Sequence, residues 1–118
     1  GGGMRQAGIL AACGIVALKK HVDRLADDHA LCRKLAEGLA GISGIEADPT
    51  AVETNIFYFR VPGRESEFPR IKAELAKRKV LALYLDPTTW RMVTHYDVDG
   101  DDVGRALAAW REVLGETR

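Results

Sequence analysis

Twelve consecutive residues, Ala7 to Leu18 (AGILAACGIVAL), carry no charged and no strongly polar side chain. A helix made only of small and apolar residues is one that is buried on every side. A chain of 118 residues builds a single domain, and a domain of that size has little to wrap around both sides of a terminal helix. The run therefore calls for a covering surface outside these residues. It falls short of the roughly 18 residues that cross a bilayer, and it lacks the charged flanks of a signal peptide. The expectation is a soluble, cytoplasmic chain with no membrane partner.

The helical pattern continues beyond Leu18. Leu18, Val22, Leu25, His29, Cys32, Ala36 and Leu39 recur at steps of four and three as one apolar seam. Asp23, Arg24, Asp27, Asp28, Arg33 and Lys34 surround it as a solvated face. The spacing predicts one long helix from Ala7 to about Leu39, bent at Gly14. Gly41, Gly44 and Pro49 then punctuate turns around a short strand at Ile45 to Ala47. TNIFYFRV (Thr54 to Val61) is β-branched and aromatic and reads as a strand ended by Pro62 and Gly63. Ser66 is placed to cap a helix running to Lys79, with Phe68, Ile71 and Leu75 as its buried stripe and Pro69 tolerated in the first turn.

Val80 to Leu85 and Trp90 to Thr94 are further strands about a turn at Asp86, Pro87 and Thr88. Asp99 with Asp102 marks a capped helix start, Val103, Leu107, Trp110 and Leu114 its face, and Gly115 its stop. The order is helix, strand, strand, helix, strand, strand, helix. This pattern predicts an α+β fold: a long N-terminal helix, then a small, mostly antiparallel sheet with helices packed on one face. Residues 1–40 form a glycine loop and long interdomain helix, and residues 41–118 a small α+β domain.

Charge and cysteine usage exclude several classes. Lys plus Arg equals Asp plus Glu at 17 each, which removes the clustered positive excess that nucleic acid requires. Lys77, Arg78 and Lys79 fall where a helix ends and suit its dipole. Cys13 and Cys32, set on one helix, would lie roughly 28 Å apart, beyond disulfide reach, and read as reduced thiols packed between helices. His21, His29 and His95 do not have the spacing of a zinc site, so no metal is expected.

Few residues stand out for chemistry. There is no nucleophile elbow, Walker loop, CxxC or HExxH. The glycines before Arg5 open a helix and present backbone N–H groups to an anion. Arg91 lies between Trp90 and Met92 on a strand, so its planar fork of donors points to one face of the sheet and suits a carboxylate; from the residues alone, an internal ion pair or an edge-strand charge explains it more simply. His95 is an acid–base candidate or a local cap near Asp97. Trp90 and Trp110 read as core, Tyr84 as half-buried, and Asp27, Asp28, Asp99, Asp101 and Asp102 as solvated or capping acids.

Two segments together bring in a family. GGGMRQAGILAACGIVAL (Gly1 to Leu18) strongly resembles the stretch after the cofactor-lysine segment of low-specificity L-threonine aldolases, and WRMVTHYDV (Trp90 to Val98) resembles that family's Arg-x-Val-Thr-His segment. DRLADDHALCRKLAEGLA and TNIFYFRV fit between them in order and approximate spacing. The resemblance implies the small carboxy-terminal domain and entry helix of a pyridoxal-phosphate enzyme of the aspartate-aminotransferase fold type. Such an enzyme cleaves β-hydroxy-α-amino acids such as threonine to glycine and an aldehyde. It implies a large amino-terminal domain as partner, a homo-oligomer, and an amino acid as substrate.

By the same resemblance Arg91 binds the substrate's α-carboxylate, and Gly2, Gly3 and Arg5 lie at the cofactor or subunit interface. Lys19, Lys20, Lys34, Lys72, Lys77 and Lys79 lack the family's Ser-Lys-Gly context, so the chain alone is expected to be silent. The opening GGGMRQAG looks like a loop from within a longer protein. LALYLDPTTW departs from the family pattern, with Leu83 or Tyr84 near the place of an asparagine. Two other readings compete: a non-catalytic interaction or regulatory module with the apolar helix as its partner surface, and a small-molecule domain using Arg91 and Arg5 as an anion clamp.

Overall fold

A computed structural model describes residues 2–115; Gly1 of the opening motif and residues 116–118 lie outside them. The expected long helix is two helices, α1 (Ala7–Lys20) and α2 (Leu25–Ala40). Gly14 sits uninterrupted inside α1, and the break falls at residues 21–24 instead. Arg24, at the N-cap of α2, donates two hydrogen bonds to the Asp28 carboxylate (2.6 and 3.0 Å), and its guanidinium lies 4.7 Å from the centre of the Tyr96 ring.

Asp28, expected in solvent, is 2% exposed. It is tolerated there because the bidentate Arg24 satisfies its charge. The predicted seam is buried only in its second half: Cys32, Ala36 and Leu39 are buried, whereas Leu18 on α1, Val22 in the turn, and Leu25 and His29 in the first part of α2 are exposed.

Three antiparallel strands form the sheet in the order β1–β3–β2: β1 is Ile56–Arg60, β2 Leu83–Tyr84 and β3 Thr89–Val93. The expected strand at Ile45 to Ala47 is one isolated bridge, Glu46 to Arg60. Helix α3 (Phe68–Lys77) follows a 3-10 turn at Glu65–Glu67, so Ser66 lies within that turn and does not cap it. Helix α3 also stops before Lys79, which adopts a left-handed conformation at φ 61°. The order is thus helix, helix, strand, helix, strand, strand, helix. The α+β class with helices on one face of the sheet holds.

Alternation along the strands explains the one-sided packing. Phe57, Phe59, Trp90 and Met92 point into the core with Phe68 and Trp110, all less than a tenth exposed. Trp110 meets Phe59 and Trp90 edge-on, each at 5.2 Å between ring centres, and its indole N–H donates to Met92 Sδ at 3.3 Å. Helix α4 (Gly100–Leu114) starts at the expected reciprocal box, in which Asp102 N–H bonds the Asp99 carboxylate and Asp99 N–H bonds that of Asp102. It ends at Gly115 with φ 82°.

Helix α1 buries none of its residues. Ile9, Leu10, Ile15, Val16 and Leu18 are 46–73% exposed. The molecule is correspondingly long, 53 × 26 × 26 Å, with a radius of gyration of 17.2 Å, against about 13.5 Å for a compact domain of this length. None of the described helices is long and apolar enough to cross a membrane.

Candidate functional site

The face of the sheet turned away from the helices is open. Trp90 and Met92 fill the core side of β3, so Arg91 between them must project on the other side. Its cross-strand neighbours are Tyr58 on β1 and Leu83 on β2. Ile56, Tyr58, Leu83 and Val93 on this face are 38–52% exposed and form a largely apolar floor around Arg91, with Thr89 and the Glu46-paired Arg60 at its edge.

Arg91 is half-buried, and its Nε is shielded from solvent without a hydrogen-bond partner. Among the described residues no carboxylate pairs with it, so the internal ion pair that would have explained it structurally is not formed. A guanidinium presents planar N–H donors of the geometry that a carboxylate accepts.

The segment that departs from the family pattern builds part of this site. Asp86 folds it into a hairpin by accepting from the N–H groups of Thr88 (2.7 Å) and Thr89 (2.8 Å) and from the Thr88 hydroxyl. These bonds hold the Asp86 carboxyl below the usual carboxylate range, those of Thr88 contributing most. The hairpin brings Leu83 across from Arg91, while Tyr84 turns to the core side against Phe68 and Trp90. Tyr58 escaped the sequence reading as a site residue. Its signal was present, since alternation in TNIFYFRV puts it opposite Phe57 and Phe59.

Other candidates lie elsewhere. Gly2, Gly3 and Arg5 are exposed ahead of α1. A Cβ added at either glycine would meet nothing within 4 Å, so the loop backbone is open to an anion. No described contact joins these residues to Arg91. They stand at the far end of a helix about 21 Å long. The clamp of Arg91 with Arg5 is therefore not assembled. His95 Nδ1 accepts from the Asp97 N–H at 3.3 Å, a local turn contact of the kind expected.

A cleft of about 600 Å³ lies between residues 79–81, the end of β3 and the start of α4, and Arg91 does not line it. Cys32 is buried, which pushes its thiol pKa up against a smaller opposing effect from Thr94; Cys13 is exposed, contrary to its expected packing. All six lysines are exposed. No group of three or more metal-binding side chains occurs among the described residues.

Comparison with known proteins gives this arrangement its relatives. A probable low-specificity L-threonine aldolase 2 of Arabidopsis thaliana is 39% identical over 119 residues. The low specificity L-threonine aldolase of Escherichia coli K12 is 40% identical over 114 residues, and a low-specificity L-threonine aldolase 1 of Arabidopsis thaliana 31% over 115. Each alignment takes in 97% of this chain and 32% of the relative, so the chain spans about a third of the length of the curated relatives it matches. The family model for beta-eliminating lyases matches residues 1–62, from the glycine loop through α1, α2 and the whole of β1. On that match, which takes in more than half of its length, the chain belongs to the beta-eliminating lyase family.

Proposed function

We propose that this chain is the small domain and entry helix of a threonine-aldolase-type lyase, and that it contributes the arginine that holds the amino acid's carboxylate. The observation that carries this is Arg91, a half-buried guanidinium with an unmet donor on a largely apolar sheet face. Residues 1–40 link the small domain, residues 41–118, to a large amino-terminal domain that covers α1 and the open sheet face. The parent works in the cytoplasm as a homo-oligomer, splitting β-hydroxy-α-amino acids such as threonine.

The described residues fit an outer contribution to pyridoxal phosphate and not its covalent anchor. The exposed Gly2–Gly3 backbone and Arg5 suit a phosphate or a neighbouring protomer at the start of α1, whereas every lysine lies at the open surface. When bound in the parent, the cofactor supplies the electron sink for breaking the bond between Cα and Cβ. The part played by this chain is orientation. Cleavage needs that bond perpendicular to the cofactor ring, and fixing the carboxylate fixes the torsion. Arg91 can do so with two parallel N–H donors, while Leu83, Ile56 and Val93 exclude water around the pair.

Titration of the isolated chain with pyridoxal phosphate, followed by borohydride, tests the assignment. No saturable absorption change and no trapped lysine are expected. A stoichiometric adduct on one lysine would make the chain an enzyme in its own right and overturn the division of labour. A non-catalytic module derived from such an enzyme is the second reading, and the exposed apolar α1 favours it equally. Under that reading the chain acts without a cofactor domain, and Arg91 holds no amino-acid carboxylate.

A further inference from the structure

The turn between α1 and α2 contains neither glycine nor proline, and α1 before it has no buried residue. What grips it is one side chain from the segment after β3. Tyr96 meets the His21 ring, at the C-cap of α1, edge-on at 5.4 Å and 87°. The same ring lies under the Arg24 guanidinium, at the N-cap of α2, at 4.7 Å. One residue thus touches both sides of the turn.

Its own backbone is anchored to the body. The Thr94 hydroxyl donates to the Asp28 carbonyl at 2.7 Å. Asn55 exchanges two hydrogen bonds with Thr94, its side-chain amide donating to the Thr94 carbonyl at 2.7 Å and its carbonyl accepting from Thr94 N–H at 2.9 Å. Val98 N–H closes the following turn on the His95 carbonyl at 2.9 Å. Thr94 is 1% exposed, so this anchor is rigid, whereas Tyr96 is 66% exposed and contributes little to the core.

We infer that Tyr96 is a positioning residue whose ring clasps the α1–α2 turn to the end of the strand that carries Arg91, and so sets the direction in which α1 leaves the domain. The geometry stands without any catalysis. Its consequence for function rests on the aldolase reading, under which α1 leads to the cofactor domain and the clasp holds Arg91 at a fixed offset from it. Cation–π and edge-on aromatic contacts both need the ring and neither needs the phenol oxygen, so phenylalanine should serve as well as tyrosine.

Distance measurement between two spin labels on the full chain tests the clasp. Cys13 on α1 is exposed and takes one label, an Ala108→Cys substitution on the exposed side of α4 takes the other, and the buried Cys32 stays unlabelled. Dilution into unlabelled chain removes intermolecular distances. A single narrow population is expected for the otherwise unaltered chain and for Tyr96→Phe. Tyr96→Ala loses it to a broad distribution, and so does His21→Ala, which breaks only the α1 side of the clasp and leaves the anchor in place. An unchanged narrow distribution in Tyr96→Ala, or a broad one before any clasp residue is altered, overturns the inference. Because no cofactor or substrate enters the measurement, its failure and that of the aldolase reading are separately visible.

Discussion

Leu83 on β2 stands directly across from Arg91 on β3, in the hairpin turned by Asp86. Arg91 therefore has an apolar neighbour where a polar one would share its donors. Replacing Arg91 by Ala in the parent enzyme should raise KM for the amino acid by about 10- to 100-fold, the worth of a charge-assisted hydrogen-bonded pair at roughly 1.5–3 kcal/mol. Arg91→Lys should recover only part of this, because an ammonium lacks the planar fork. Steady-state kinetics with threonine reads both, and wild-type KM in Arg91→Ala would remove Arg91 from the site.

Helices α2 and α4 touch where Gly38 meets Leu107. A Cβ at Gly38 would sit 2.3 Å from Leu107 Cδ1 and 2.6 Å from Cδ2. Overpacking of this kind costs about 1–3 kcal/mol, and the helix propensity gained by alanine returns only about 1 kcal/mol. Gly38→Ala should therefore be destabilising by about 1 kcal/mol in urea unfolding. In a Leu107→Ala background the clash is gone, and the same substitution should stabilise by up to ~1 kcal/mol.

Lys79 occupies the left-handed residue after α3, a place that glycine takes without cost. Its backbone N–H bonds the Ala76 carbonyl and that of Val80 bonds Leu75, so the motif itself is well formed. The exposed Lys79 side chain makes no described hydrogen bond or ion pair, so a glycine would forfeit only a solvent-screened charge at the helix end. Lys79→Gly should raise stability by about 0.5–1 kcal/mol, visible as a higher melting temperature.

Acid should weaken the start of α4. The Asp102 carboxyl is held below its ordinary value, chiefly by the Asp99 N–H and also by Arg105. A carboxylate depressed in the folded state stabilises fully above its unfolded pKa, near about 3.9. That contribution is lost as pH falls through the lower folded value. Asp102→Ala should thus lower the melting temperature at pH 7, and the gap from the unsubstituted chain should narrow steadily below about pH 4. A gap independent of pH would mean that the charge contributes nothing.

Local chemistry made much of this chain legible from sequence alone. The box of Asp99 and Asp102, the left-handed stop at Gly115, and the alternation that sends Phe57 and Phe59 to one side and Tyr58 to the other depend on neighbours within a few residues. So does the placing of Arg91 between two core side chains. The family was legible for a related reason, since its motifs are contiguous runs. The strand at Ile45 to Ala47 failed because β pairing needs a partner, and only Glu46 finds one.

The end of the first helix was not legible either. Gly14 is the residue that propensity marks as weak, but a helix with no tertiary contact has no reason to bend there. The break at residues 21–24 lies where Tyr96, more than seventy positions along the chain, meets His21 and Arg24 in space, and where Arg24 pairs with the buried Asp28 carboxylate. Sequence by itself determined which faces are apolar, which ends are capped and to which side of the sheet Arg91 points. Tertiary structure alone decided where the long helix breaks, which acid is buried and what stands beside Arg91, because each of those rests on contacts between segments that no local spacing records.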